Sequence, residues 1–182
     1  MSLYAWHFLR SINGVPTLGN GAGHAPAVGE WLEVAPPLDI CHRGLHASWR
    51  AIDALGFVSW GSAIACLVEV DGIGGEHADK LVCSRRRIVA MVECDDVLRL
   101  FAREAALSVA QYWTMPPVVR KYLETGNEEI RAAAWAAAVA AARAAAVAAA
   151  RDAAWVAAWA DLNALLESLL LGAMDQEGAE LP

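Results

Sequence analysis

No proline or glycine occurs between Asn127 and Leu171, so nothing in that run breaks a helix. The four cysteines, Cys41, Cys66, Cys83 and Cys94, include no C-x-x-C pair, which argues against a zinc ribbon or a disulfide framework. The N-terminal MSLYAWHFLRS lacks a charged segment followed by a sustained apolar stretch, so it does not read as a signal peptide. There is no excess of positive charge either. The net charge is −7, with residues 1–126 contributing −2 and residues 127–182 contributing −5. Neither part has the basic balance of a nucleic-acid binder. The expected setting is a reducing cytoplasm.

What the chain does have is alanine. From Arg131 a large residue stands in every fourth place: Arg131, Trp135, Val139, Arg143, Val147, Arg151, Trp155, Trp159 and Asn163. The composition predicts one helix from about 127 to 172, with Asn127 as its N-cap, Glu128 and Glu129 in its first turn and Gly172 as its stop. At ~1.5 Å per residue it would be about 66 Å long. A step of four advances about 400° around the helix, so the ridge winds slowly and leaves furrows lined by methyl groups. Such ridges interdigitate in the commonest class of helix packing. The expectation is therefore a homo-oligomerisation helix, with contacts through Trp135, Val139, Val147, Trp155, Trp159, Leu162, Leu166 and Leu169. Arg131 is one turn from Trp135, and Arg151 from Trp155, within reach of cation–π contact. A membrane span is rejected because Arg143 would lie near its middle. Residues 173–182 read as a disordered acidic tail.

The front of the chain reads as a domain over residues 1–94, followed by linking helices over 95–126. Tyr4 to Arg10 alternates as a strand, Asn13-Gly14 is a turn, and Trp31 to Val34 is a short strand. Ser48 is placed to cap a helix from Trp49 to Leu55. The apolar run Ala63 to Val70 reads as a buried strand, and Lys80–Cys83 and Arg87–Cys94 as two further strands or one bent one. Helical periodicity follows from Asp95 to about Tyr112, with a short helix from about Val118 to Glu124. The fold class is α+β: a small mixed sheet, one internal helix, covering helices and the long tail.

Cys41-His42-Arg43-Gly44-Leu45-His46-Ala47-Ser48 is the most informative segment for function. Two histidines and an arginine just before a predicted helix start favour an anion. The assigned ligand set is His42, Arg43 and His46 for phosphate, Trp6 and Trp49 for stacking, and Ser48 with the helix N-terminus for a further oxygen. His42 and His46 with Cys41 could recruit zinc, but Gly44 lies between them and a fourth ligand would have to come from His7, His24, His77 or a distant cysteine. No metal and no cofactor are assigned. Cys41 with the adjacent His42 is a poor nucleophile pair, since neighbours in extended chain point apart. The GNGAGHA stretch at 19–25 lacks the Gly-Lys-Ser/Thr ending of a phosphate loop. Arg85-Arg86-Arg87 with Lys80 reads either as a phosphate cradle or as a charged strand edge.

The segments YAWHFL, CHRGLHAS, ACLVEVDG and KLVCSRRRIV resemble an uncharacterised family of small proteins, many phage or prophage encoded, over residues 3 to 93. The alanine-rich tail is similar to tails attached to several unrelated bacterial domains. The phage context implies an oligomeric protein that sequesters a nucleotide-derived host defence signal. A fold-level analogy to ADP-ribosyl transferases gives the alternative of an NAD-consuming enzyme, although neither Glu69 nor Glu93 sits in a catalytic signature. Binding is favoured over catalysis, and a purely structural assembly protein is the third reading.

Overall fold

The computed structural model describes residues 2–18, 27–58, 62–145 and 153–182. These form two compact units. The first comprises Met1–Asp95 with Asn163–Pro182, and the second is Asp96–Leu162.

The first unit is built on antiparallel strands. Strand β1 (Leu3–Ile12) turns at Asn13-Gly14, both at positive φ, into β2 (Val15–Thr17). That is the hairpin turn an Asn-Gly pair favours. Strand β5 (Ala63–Glu76) pairs on one edge with β1 and on the other with β6 (Leu81–Glu93). Strand β6 in turn carries β4 (Leu45–Ala47) beside Leu81–Cys83 and β3 (Trp31–Glu33) beside Arg85–Arg87. The sheet then curls back on itself. Ser48, next after β4, pairs with Trp6 of β1: the Trp6 N–H donates to the Ser48 carbonyl at 2.7 Å, and the Ser48 N–H to the Trp6 carbonyl at 2.9 Å. Every pairing among the described residues is antiparallel, so the expected mixed sheet is corrected to an antiparallel one.

Residues Ala63 to Val70 are all buried, as an uninterrupted apolar run in a central strand requires. Ala5, Leu9, Cys66, Val68, Leu81, Cys83 and Ile88 form the core between the curled strands. The runs expected at Lys80–Cys83 and Arg87–Cys94 fall on one strand, Leu81–Glu93, with a bulge opposite Leu67/Val68.

Helix α1 is shorter than expected, Ala51–Leu55, and Ser48 does not cap it. The Ser48 backbone is committed to β1 instead. The first N–H groups of α1 are satisfied from a distant part of the chain: Ala51 N–H donates to Glu167 Oε1 at 3.1 Å and Ile52 N–H to Asn163 Oδ1 at 3.0 Å. Both acceptors lie on α5 (Ala153–Gln176). That helix runs through Gly172, so the expected stop there is wrong, and residues 173–176 are helical where disorder was expected. Leu166, Leu170 and Met174 are fully buried within this unit. Leu166 is thus already covered by its own chain, while Leu162 and Leu169 are half-buried.

The second unit contains most of α2 (Asp95–Ser108), a 3-10 turn at Ala110–Tyr112, α3 (Pro117–Thr125) and α4 (Arg131–Ala145). Gly126, at φ +64, ends α3 in the left-handed conformation that glycine adopts at little cost. Asn127 then caps the next turn, its Oδ1 accepting from Glu129 N–H at 2.9 Å, as the sequence predicts. Arg131 pairs with Glu128 at 3.3 Å and not with the Trp135 ring. A groove of about 650 Å³ between α3 and α4 is lined by Val119, Tyr122, Leu123, Ala134, Trp135 and Ala138. Trp135 is 72% exposed, and Val139 is half-buried. Val147, Arg151 and the side chains of Arg143, Trp155 and Trp159 lie outside the described residues, as do the 19–25 segment and Trp60.

Candidate functional site

Where Ser48 meets Trp6, a cleft of about 320 Å³ opens beside β1 and β4. Trp6, His7 and Phe8 supply one wall, Cys41 and His46–Ser48 another, and Ala54, Phe57 and Lys80 complete it. Among the described residues, no carboxylate lines it. A mostly apolar concavity with a few convergent polar groups is the usual form of a small-molecule site.

The loop that brings Cys41 here depends on Gly44. Its φ is +135°, and a Cβ at that position would lie 2.3 Å from Val82 Cγ2. Only glycine fits so close to β6 in that conformation. Cys41 is itself at φ +73, a sparsely populated region for a residue with a side chain. Its N–H donates to His46 Nε2 at 2.9 Å. That nitrogen is therefore an acceptor, and the neutral His46 carries its proton on Nδ1. Burial holds the His46 ring below its ordinary pKa, helped by the charges of Arg86 and Lys80.

His7 is deeper. Burial, then Arg86, then His46 push it well below 6.5, so the ring is neutral. Its Nε2 is buried with no hydrogen-bond partner. An unpaired polar atom away from water is costly.

Arg86 organises this region from behind. It is 5% exposed, and its guanidinium donates to the His46 carbonyl. Among the described residues no carboxylate lies within ion-pair distance of it, and burial lowers its own pKa. Its neighbours are paired: Arg85 with Glu33 at 2.9 Å and Asp71 at 3.1 Å, and Arg87 with Glu69 at 2.7 Å. The Trp31 ring lies under Arg85 at 4.5 Å and Arg87 at 5.0 Å. The three arginines are thus neither a phosphate cradle nor a free edge. Two are neutralised outside and the third is turned inward.

Of the six residues assigned from sequence, the cleft gathers Trp6, His46 and Ser48. The other three are elsewhere. The His42 side chain is 78% exposed and lies 3.5 Å from Asp39. Arg43 is exposed, and Trp49 reaches Glu76 Oε2 at 3.4 Å. The α1 N-terminus, expected to bind a ligand oxygen with Ser48, is occupied by Glu167 and Asn163. Sequence reasoning missed His7, Cys41 and Phe57 as cleft residues and Arg86 as their support, and it grouped Lys80 with the three arginines, none of which lines the cleft. Lys80 stands 4.8 Å from the Phe57 ring. Its pKa is raised, chiefly by a hydrogen bond to the Cys41 side chain. No group of three metal-ligating side chains occurs among the described residues.

The neutral histidines, the lysine and the aromatic walls define a small α+β domain with a curled antiparallel sheet and a cleft at its seam. A family described as a domain of unknown function, DUF7666, matches residues 20–100. The matched segment contains CHRGLHAS, β3 to β6 and α1, and stops short of β1 with Trp6 and His7. No curated protein and no solved structure matches the chain.

Proposed function

We propose that the cleft binds a small anionic ligand of the nucleotide class, and that the protein captures it without turning it over. The carrying observation is a cleft that holds Lys80, His46 and the Trp6 and Phe57 rings, with no carboxylate among its described lining residues. A ligand bringing negative charge to Lys80 would meet no opposing charge from the described lining. Trp6 and Phe57 offer aromatic surface for a planar ring. The alternative of an ADP-ribosyl transferase loses ground. Glu69 is tied to Arg87, Glu93 accepts from Ser11, and neither lines the cleft. Sequestration of a host defence signal and a phage origin rest on the sequence resemblance alone, and a cytoplasmic setting on the cysteine usage and the N-terminal segment. No described helix is long and apolar enough to cross a membrane.

Native mass spectrometry of the full chain with a panel of mono-, di- and cyclic nucleotides tests the reading. One bound ligand per chain, lost in Lys80→Met, is expected. No retained ligand and no release of nicotinamide from NAD would leave the structural reading instead.

Assembly is the second part of the proposal. The exposed Trp135 beside the alanine-lined groove supports a second copy of this chain as its occupant. Sedimentation equilibrium is expected to give a multiple of the 19.4 kDa chain mass, falling toward a single chain in Trp135→Glu. A wild-type monomer at every concentration would end the assembly proposal.

A further inference from the structure

Helix α1 carries part of the cleft wall but has little of its own to hold it. Its five residues, Ala51–Leu55, fall far short of the length at which a helix persists unaided. The N-cap residue is Arg50, and its side chain makes no capping hydrogen bond. Ala51 and Ile52 are buried, so water is a poor substitute for the missing cap. Both N–H groups are taken instead by one face of α5, through Glu167 Oε1 at 3.1 Å and Asn163 Oδ1 at 3.0 Å. Leu166, Leu170 and Met174 are buried along that face at helical spacing, which seats α5 independently of the two polar contacts. From the capped end, hydrogen bonds lead to the cleft. Ala54 N–H donates to the Arg50 carbonyl at 3.2 Å, and Phe57 N–H to the Ala54 carbonyl at 3.1 Å. Ala54 and Phe57 line the cleft, and Lys80 Nζ stands over the Phe57 ring.

We propose that Asn163 and Glu167 are positioning residues for the cleft: by capping α1 they hold the Phe57 ring beneath Lys80, and the C-terminal helix controls the binding site through them. Neither lines the cleft itself. Without the Asn163 acceptor the Ile52 N–H is left buried and unpaired, which is costly. Fraying the first turn of α1 relieves that cost, because the donor then reaches water. The same fraying releases Ala54, and with it the turn that places Phe57. The inference rests on the capture reading for what the cleft is for, but its test needs no nucleotide, so either can fail without the other.

The experiment is NMR of the full-length protein, wild type against Asn163→Leu and Asn163→Asp. The ring current of Phe57 shifts the Lys80 ε-methylene signal upfield, and Phe57→Leu identifies that shift by removing it. Asn163→Leu, similar in size but with no acceptor, is expected to return the signal toward that of a free lysine. Amide exchange at Ile52 and Phe57 should speed about tenfold more than at Val68 in the core strand β5. Asn163→Asp keeps an acceptor and should restore both readouts. Glu167→Met, which frees the Ala51 N–H at a half-buried position, should move both in the same direction and carries the test if Asn163→Leu does not fold. A Lys80 signal that stays put in folded Asn163→Leu would overturn the proposal, as would an Asp variant that behaves like the Leu one. So would equal acceleration at Ile52, Phe57 and Val68, because Asn163 would then support the fold at large and not the cleft wall.

Discussion

Truncating Leu170 to alanine is expected to destabilise the protein by about 2–5 kcal/mol, the usual cost of emptying a leucine site in a packed core. Leu170 has no exposure at all, and Leu166 and Met174, on the same helix, have none either. Their burial makes the end of the chain part of the first unit, although over 65 residues intervene between Asp95 and Asn163. Urea unfolding followed by circular dichroism measures the loss. Leu169→Ala, at a half-buried position, should cost clearly less. If Leu170 instead served only a partner helix, its truncation would change the assembly state and leave a dilute monomer's midpoint untouched.

A comparable effect is expected from pH. His7 is neutral in the fold, with its pKa well below the 6.5 it would have when unfolded. Between those two values the unfolded chain binds a proton that the folded chain does not. Stability therefore rises with pH across this window. The contribution is fully present above about pH 6.5 and is lost as pH falls toward the folded pKa. The slope from one such histidine approaches about 1.4 kcal/mol per pH unit. Glu69, whose pKa lies below its ordinary 4.5, acts only at lower pH. Arg86→Met removes the second cause of the His7 shift and should flatten the slope between pH 6.5 and 5. Urea midpoints that stay flat over that range in wild type would contradict a neutral, buried His7.

Much of the first unit was legible because its signals are local. The apolar run at Ala63–Val70, the Asn13-Gly14 turn and the Asn127 cap each depend on a few adjacent residues, and each stands where expected. Ser48 shows where local reading stops. A serine before a helical run looks like a cap, yet its backbone pairs with Trp6, over 40 residues upstream. The acceptors that α1 uses, Asn163 and Glu167, come from the far end of the chain. No window in the sequence connects them. Asn163 had been counted in the four-residue ridge, and its role is instead to receive the Ile52 N–H.

The site divides in the same way. His42 and His46 look equivalent as a spaced pair, but only His46 falls within the three-residue strand that borders the cleft. Arg86 was detectable. Ile88 points into the core, and two positions back on the same face of β6 stands Arg86. A run of three arginines masked the signal by resembling a solvated edge. Lys80 and Cys41 come together only because the β5–β6 turn reaches the loop before β4, and nothing in their separation announces it. The alanine-rich tail was read for composition correctly as helix at Arg131–Ala145 and Ala153–Gln176.

The most direct test of the capture account is calorimetric titration of the nucleotide panel into wild-type protein and, side by side, into Lys80→Met. The account predicts one site per chain for at least one member, with affinity reduced about tenfold or more when the cleft's lysine loses its charge. Identical isotherms for the two proteins, or heat that persists when Trp6, His7 and Lys80 are all replaced in a folded variant, would place the ligand somewhere other than this cleft.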